Sequence, residues 1–484
     1  MKDKADSGAD LQPDLRKNYI YRLINEILTF ALPLIAMPYI SRVLGAGGVG
    51  EYSYTYSVIT YFIMFGAMGT ASYGAREIAI NRDDRQTCSR LFWEIELMSI
   101  LLCLVSLMMW LLLIMTDTAH RMVFIALTPY ILGTMFDISW LFTGLERIGF
   151  MVTANAVVRI AGMMLLFLMV RSVDDLAIYC IINSMTMLTA NLSMWLCLPR
   201  FLVRVSIRGF RFGNHFRAML VYFIPNIARS IYTVLDKTLI GLITGSPFQN
   251  GYYEQASKMI GVADGLSFVV FNSALYARMS YLFAMGKHEE VKNRIAENAD
   301  YIMFMCFGTA FGLAGISHTL VPVFFGKGYE PVEGLIYMML PLVPVIGISN
   351  CLGTQYYTPA GRRAQSAGYI VVGAVTNLIF NLCLIPVYEA RGAVAASVAA
   401  ELLITGLYLR NCDGYLTIKQ IMDSSGRKIA AGICMAVIVR LLGGLKLNGV
   451  YVIIIQIFTG IITYVAILII LKDSFLRNLR ERAL

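Results

Sequence analysis

The chain has 484 residues, 58% of them hydrophobic and 15% charged, with a mean hydropathy of +0.66. Soluble domains carry about a quarter charged residues, so this composition excludes a soluble fold and points to a protein that crosses a membrane many times. The net charge of +9 does not signal nucleic acid, because the basic residues sit in short connectors between apolar runs, and nine cysteines without a CxxC pair plus four scattered histidines offer no metal-ligand spacing.

Residues 1–18 are polar and charged and lack the apolar core of a signal peptide, so they read as a tail. Fourteen apolar runs follow, near 19–44, 49–74, 91–115, 121–142, 151–170, 176–198, 218–244, 253–285, 299–324, 333–355, 365–386, 393–411, 429–445 and 450–471. An even number puts both termini on one side. Of the 40 Lys and Arg, 28 fall in tails, loops and span ends on that side and six on the other (Arg42, Arg121, Arg171, Lys327, Arg391 and Lys446). The positive-inside rule makes the termini cytoplasmic, and the membrane expected is the bacterial plasma membrane. The short loops leave no room for a soluble catalytic domain.

Span one lines up Arg22, Asn25, Glu26, Thr29 and Pro33 on one helical stripe. Glu26 either pairs with Arg22 at i, i+4 or faces a cavity as a protonatable carboxylate. Span four ends in DISWLFTGLE, where Asp137 reads as a helix-end acid near water and Trp140 as an interfacial aromatic. Arg159, in mid-membrane in span five, needs a partner, and the candidates are Asp137, Glu146 or a substrate anion. The connector PRFLVRVSIRGFRFGNHFR holds five arginines among apolar residues and reads as a basic segment lying on anionic headgroups.

Span seven, FIPNIARSIYTVLDKTLIG, carries Arg229, Asp236 and Lys237 with Asn226 and Thr233 between them. An ionised side chain facing lipid costs at least ~3 kcal/mol, so this stripe is expected to face protein or a water-filled cavity. A structural ion-pair cluster and the wall of a hydrophilic path both satisfy that demand. Span eight lines up Glu254, Lys258, Gly261, Gly265 and Asn272, with Glu254 and Lys258 in the favourable order for a helix ion pair and the glycines read as close-approach positions. The order of Pro-broken helix, short turn and Gly-Tyr-rich helix start (Pro33 with GlyGluTyr at 50–52, Pro225 with GlyTyrTyrGlu at 251–254) recurs about 200 residues on. It suggests parallel six-helix repeats. The expected layout is a tail (1–18), a first lobe (19–199), a basic linker (200–217), a second lobe (218–412), helices 13–14 (413–471) and a basic tail (472–484).

No P-loop, GxSxG or HExxH is present, so the expectation is a transporter and not an enzyme. Several stretches in order, LPLIAMPYISRVLGAGGVGEYSYTYSVITYF, GAREIAINRDD, DISWLFTGLE, IPNIARSIYTVLDKTLIG, NGYYEQASKMI, FFGKGYEP, NCLGTQYYTPAG and NLCLIPVYEARGAVAASVAAE, make the chain similar to the Wzx-type polysaccharide and O-antigen flippases. That branch belongs to the superfamily that also holds multidrug and toxin extrusion transporters and the lipid II flippase. The resemblance implies an all-α polytopic fold of two six-helix lobes plus two helices, and an undecaprenyl-diphosphate-linked oligosaccharide as substrate. It also implies coupling to a proton or sodium gradient, a glycan polymerase as a further partner, and no cofactor or nucleic acid. By matching position it carries roles to Arg42, Asp137, Arg159, Asp236 and Lys237. The resulting assignment gives headgroup binding to Arg229, Lys237, Arg159, Asn226, Lys258 and Arg42, and ion coupling to Glu26, Asp236, Asp137 and Glu254. A lipid II flippase or a multidrug exporter of the same fold is the alternative, with a glycan polymerase or ligase behind them.

Overall fold

The structure is a computed structural model that describes residues 15–206, 210, 212–445 and 447–477. The side chains of Arg22, Glu26, Asn226 and Arg229 lie outside the described residues. The described elements are all helical. They group into two units, residues up to Leu44 with Thr55–Ile227, and Gly45–Tyr54 with Ala228–Leu484. The division falls inside the seventh expected span, whereas the sequence places it in the linker 200–217.

α1 (Leu15–Ala67) is one long helix interrupted at Gly45, and its Gly45–Tyr54 segment belongs to the second unit while the rest belongs to the first. The Gly45 φ of 65° and ψ of 177° lie in a region that essentially only glycine enters. The glycine-rich turn expected between spans one and two is therefore a single-residue break. A second break at Met68 and Gly69 leads into α2 (Thr70–Asn81). Asp84 caps α3 (Arg85–Thr116), accepting from the N–H groups of Gln86 at 2.9 Å and Thr87 at 3.2 Å. The fourth span is broken into α4 (Arg121–Leu127), α5 (Pro129–Met135) and α6 (Ser139–Gly144), followed by α7 (Ile148–Met169), α8 (Leu176–Trp195) and α9 (Leu198–Phe201).

Phe92, Ile95, Trp140, Leu141, Phe142 and Met194 fill the core of this unit. Trp140 is 2% exposed, so it is a core residue and not the interfacial aromatic the sequence suggests. The reason is Gly74: a Cβ there would lie 2.4 Å from Cε3 of Trp140, so only glycine lets the indole lie flat on α2. The other face of the indole stacks on Phe92 at 5.4 Å.

In the second unit, the later part of α10 (Phe212–Thr244) is followed by α11 (Pro247–Asp264), a π-helical turn (Gly265–Val269) and α12 (Val270–Ala284). Then come α13 (His288–Phe324), α14 (Glu330–Met339) and α15 (Leu342–Leu352), the last two bent by 42° about Leu340 and Pro341. After a further π-helical turn (Gly353–Tyr357), α16 (Arg363–Tyr388) and α17 (Ala390–Arg410) pack as a pair, and α18 (Ile418–Leu442) and α19 (Gly449–Ile470) pack on α13. Ala431, Met435, Val439, Tyr464 and Leu468 form the core of that last assembly.

Nine described helices are long and apolar enough to cross a membrane, ten with the bent pair, against fourteen spans expected. α1 and α2 merge two expected spans into one stretch, α18 carries Arg427, Lys428 and Arg440 along its apolar run, and α10 and α12 include residues whose side chains lie outside those described.

Candidate functional site

Three glycines bring the site of the second unit together. A Cβ on Gly50 would fall 1.7 Å from the carbonyl oxygen of Pro247, and one on Gly251 would fall 2.0 Å from that of Ala46. One on Gly241 would fall 2.1 Å from the ring of Tyr54. Residues 45–54 therefore touch α11 backbone to backbone and lie against α10, an approach that any side chain at these glycines would block. The two Gly-Tyr-rich helix starts, 200 residues apart in the chain, are in contact. Gly261 and Gly265, read from the sequence as close-approach positions, have no neighbour within 4 Å of a built Cβ. Close approach happens one helix turn before Glu254, not beyond it.

This approach places Glu254 at the centre of a cluster. Its carboxylate accepts from the Lys237 ammonium at 2.6 Å, the Lys258 ammonium at 3.0 Å and the Ser53 hydroxyl at 2.8 Å. The Glu254 side chain is 8% exposed, those of Lys237 and Lys258 25% and 41%. The anion is thus buried and its two cations lie outward of it. Among the described residues, two ammonium groups against one carboxylate leave one positive charge in excess, and each ammonium has donors to spare.

Asp236, the residue before Lys237, goes elsewhere. It is 4% exposed and is surrounded by neutral donors: the hydroxyls of Tyr253 on α11 and Ser397 on α17, and the Asn381 amide of α16 at 2.6 Å. Asn381 also donates to Asn377 Oδ1 at 3.0 Å, while its own buried Oδ1 has no partner. Asp236 and Lys237 both reach α11, at Tyr253 and Glu254, and Asp236 alone is also bonded from α16 and α17. The cage around Asp236 offers one carboxylate, amide oxygens and hydroxyls, a hard-oxygen donor set that suits an alkali or similar cation rather than a transition metal. The unpartnered Asn381 oxygen is the atom such an ion would satisfy. Among the described residues, no three His, Cys, Asp or Glu side chains converge as a metal site.

The remaining sequence candidates fall in the first unit. Arg42 is exposed, three residues before the Gly45 break. Arg159 donates to the Thr29 hydroxyl at 2.6 Å. Its expected partners are described in other bonds: Asp137 accepts from the Ser139 N–H at 3.0 Å, and Glu146 pairs with Arg82 at 3.0 Å. Glu26, Asn226 and Arg229 lie outside the described side chains. Asn272, expected on the charged line of span eight, belongs to an amide ladder instead, bonding Asn350 at 2.8 Å and Gln355 at 2.7 Å.

Sequence reading missed three groups. His215 bridges Glu94 and Tyr73, at 2.7 Å to each. Lys428, fully buried, meets Asp300 and Asp473. Asn377 and Asn381, four residues apart within an apolar run, carried a legible signal as polar positions inside a span. Asp236, the partner of Asn381, lies 145 residues away, and no local pattern announces it.

The chain matches the family described as "Polysaccharide biosynthesis protein" over residues 15–283, more than half its length. It is 24% identical over 408 residues to a protein of Escherichia coli K12 described as "Putative O-antigen transporter", covering 82% of this chain and 96% of that one. Among solved structures it is similar to "Lipid II flippase MurJ, inward closed conformation", with a TM-score of 0.75 at 14% identity, covering 95% of this chain and 99% of that one. An inward-facing multidrug resistance MATE family transporter of the MOP superfamily gives a TM-score of 0.60 at 11% identity, covering 85% and 98%. By its match over these residues, more than half of its length, the chain belongs to the polysaccharide biosynthesis protein family.

Proposed function

We propose that the protein flips lipid-linked oligosaccharide, with undecaprenyl-diphosphate as the anchor, from the cytoplasmic to the outer leaflet of the bacterial plasma membrane. The observation that carries the reading is the second ammonium beside Glu254. A pair built only for packing needs one cation per anion, and Lys258 is in excess. Placed outward of a buried carboxylate, the two lysines suit an anion that arrives and leaves, and a diphosphate accepts several charge-assisted hydrogen bonds at once. Asn226 and Arg229, earlier on α10, and Arg42 and Arg159 are the further candidates for the headgroup.

The physical task is to bring a hydroxyl-rich headgroup through ~30 Å of hydrocarbon, where each unsatisfied polar group costs several kcal/mol. The prenyl tail can stay in lipid while the headgroup exchanges water for fixed polar side chains. The driving force in this reading is a cation gradient with alternating access. Asp236 is the favoured coupling site, since its cage of neutral donors leaves the carboxylate's charge for an ion, and Glu26, Asp137 and Glu254 are the other acids assigned to this role. A glycan polymerase would take the delivered unit.

Lys258→Gln separates this reading from a purely structural one, because it removes the surplus charge and leaves the Lys237–Glu254 pair intact. In a strain deleted for the native gene, the variant is expected to restore less than a tenth of the surface glycan that the unaltered protein restores. Lipid-linked intermediate should accumulate while the amount of protein in the membrane stays unchanged. Full surface glycan in that variant would overturn the reading.

A further inference from the structure

We propose that Glu96 and Asp137 of the first unit form a proton-binding pair, with Glu96 as the residue that takes up and releases the proton. The proposal rests on the transport reading only for its purpose, since the site stands on geometry within one unit. Glu96 lies eleven residues into α3, about 16 Å from its start at 1.5 Å per residue. It is 0% exposed, and neither carboxylate oxygen has a hydrogen-bond partner. Two residues earlier the same helix shows what a structurally paired acid looks like: Glu94 is bonded by His215 at 2.7 Å and Arg90 at 3.1 Å.

A second orphan faces the first. The indole N–H of Trp140 is buried without a hydrogen-bond partner, yet lies close enough to act on Glu96. The ring cannot turn away, because Gly74 and Phe92, the latter one helical turn before Glu96, hold its two faces. Asp137, three residues before Trp140, is the charged group that acts on Glu96. The surrounding elements bring no described cation to it. The 55–67 part of α1 offers only Tyr56 and Tyr61, and α5 offers Tyr130. On α2, Tyr73 is bonded to His215 and Arg76 to Glu77. On α3 itself, Arg90 is held by Glu94 and the thiol of Cys103 lies two turns on. Arg121, at the start of α4, is exposed.

An ionised carboxylate buried without a cation is a costly way to keep a glutamate in a membrane helix. A carboxylic acid at the same place is neutral, and two acids that act on each other do not readily carry charge together. The Trp140 N–H is the one fixed donor placed to receive the anion when the proton leaves. Packing alone would be served as well by leucine or glutamine. The arrangement therefore suits a group that alternates between acid and anion.

The test uses the full-length protein in lipid vesicles with dicyclohexylcarbodiimide, which modifies carboxyl groups that are protonated in apolar surroundings. Mass spectrometry is expected to find the adduct on the Glu96 peptide, falling at least tenfold from acid to alkaline buffer. Trp140→Phe keeps the stacked ring and removes the donor, so the midpoint of labelling should move to higher pH. Asp137→Asn removes the like charge and should move it lower. Infrared spectra should lose a protonated-carboxyl band in Glu96→Gln. Absence of label on Glu96 at every pH in the unaltered protein would overturn the proposal, and this needs no variant to fold. Labelling does not depend on the cargo, so a protein that labels as described but exports no glycan refutes the transport reading and leaves the proton site standing.

Discussion

Glu254 and Asp236 lie on adjacent helices, and their surroundings give them opposite parts. Glu254 is neutralised twice over, by Lys237 and Lys258, whereas the bonds described for Asp236 come from neutral donors. Removing a partner from a buried charge costs about 3–5 kcal/mol because the survivor is left uncompensated. Glu254→Gln leaves two ammonium groups facing each other, partly wetted, so a loss near the lower figure, about 3 kcal/mol, is expected in denaturant unfolding of the purified protein. Lys258→Gln should cost under 1 kcal/mol, as for an exposed pair. The spacing of Glu254 and Lys258 was legible as an i, i+4 pair. The arrival of Lys237 was not, because nothing local in the sequence says that Gly50 and Gly251 allow the backbones to touch.

Outside the spans, Asp413 offers a residue-scale test in pH. The Tyr356 hydroxyl at 2.8 Å and the Arg362 guanidinium at 2.6 Å hold its carboxyl below the usual carboxylate range. A depressed acid contributes order above its unfolded value, about 3.9, and loses it as pH falls through the lower folded value. The hydrogen-exchange protection factor of the 358–362 loop, the observed rate corrected for the intrinsic pH dependence, should therefore be constant above about pH 4 and fall below it. In Asp413→Asn it should be low throughout.

At the scale of elements, two devices hold the helices of the second unit. One is glycine contact: a side chain on Gly251 meets a carbonyl oxygen at 2.0 Å, backbone that cannot rotate out of the way. Gly251→Ala should therefore abolish the Ser53–Glu254 bond and lower the yield of folded protein, whereas Gly261→Ala, with open space around it, should be neutral or slightly stabilising. The other device is Lys428, 0% exposed, which ties α18 to Asp300 of α13 and to Asp473 beyond α19. Lys428→Met leaves the buried Asp473 and the part-buried Asp300 without their cation and should cost about 3–5 kcal/mol, with partial recovery when Asp473→Asn is added. Hydropathy located these helices but assigned Lys428 to a loop, because a lysine at the edge of an apolar run reads as a terminus when its carboxylate partners are 128 and 45 residues away.

For the whole molecule, composition and the order of motifs were enough to indicate an all-helical membrane protein and its family. The number of spans was not fixed in this way. The helices that carry the Glu254 cluster were legible as apolar runs at 218–244 and 253–285 even though they hold charged side chains. The acids and amides of the candidate site were visible as intruders in apolar runs. Which intruder meets which depends on packing between segments hundreds of residues apart, and Asp236 with Ser397 is a case in point.

The central claim is that surplus intramembrane positive charge serves a mobile anionic headgroup. It is tested most directly by leaflet exchange of a fluorescent prenyl-diphosphate oligosaccharide in vesicles holding the purified protein, read by quenching from outside. The account expects exchange at least ten times faster than in protein-free vesicles, dependent on an imposed cation gradient and lost in Lys258→Gln. Exchange no faster than in protein-free vesicles, or undiminished in that variant, would contradict it.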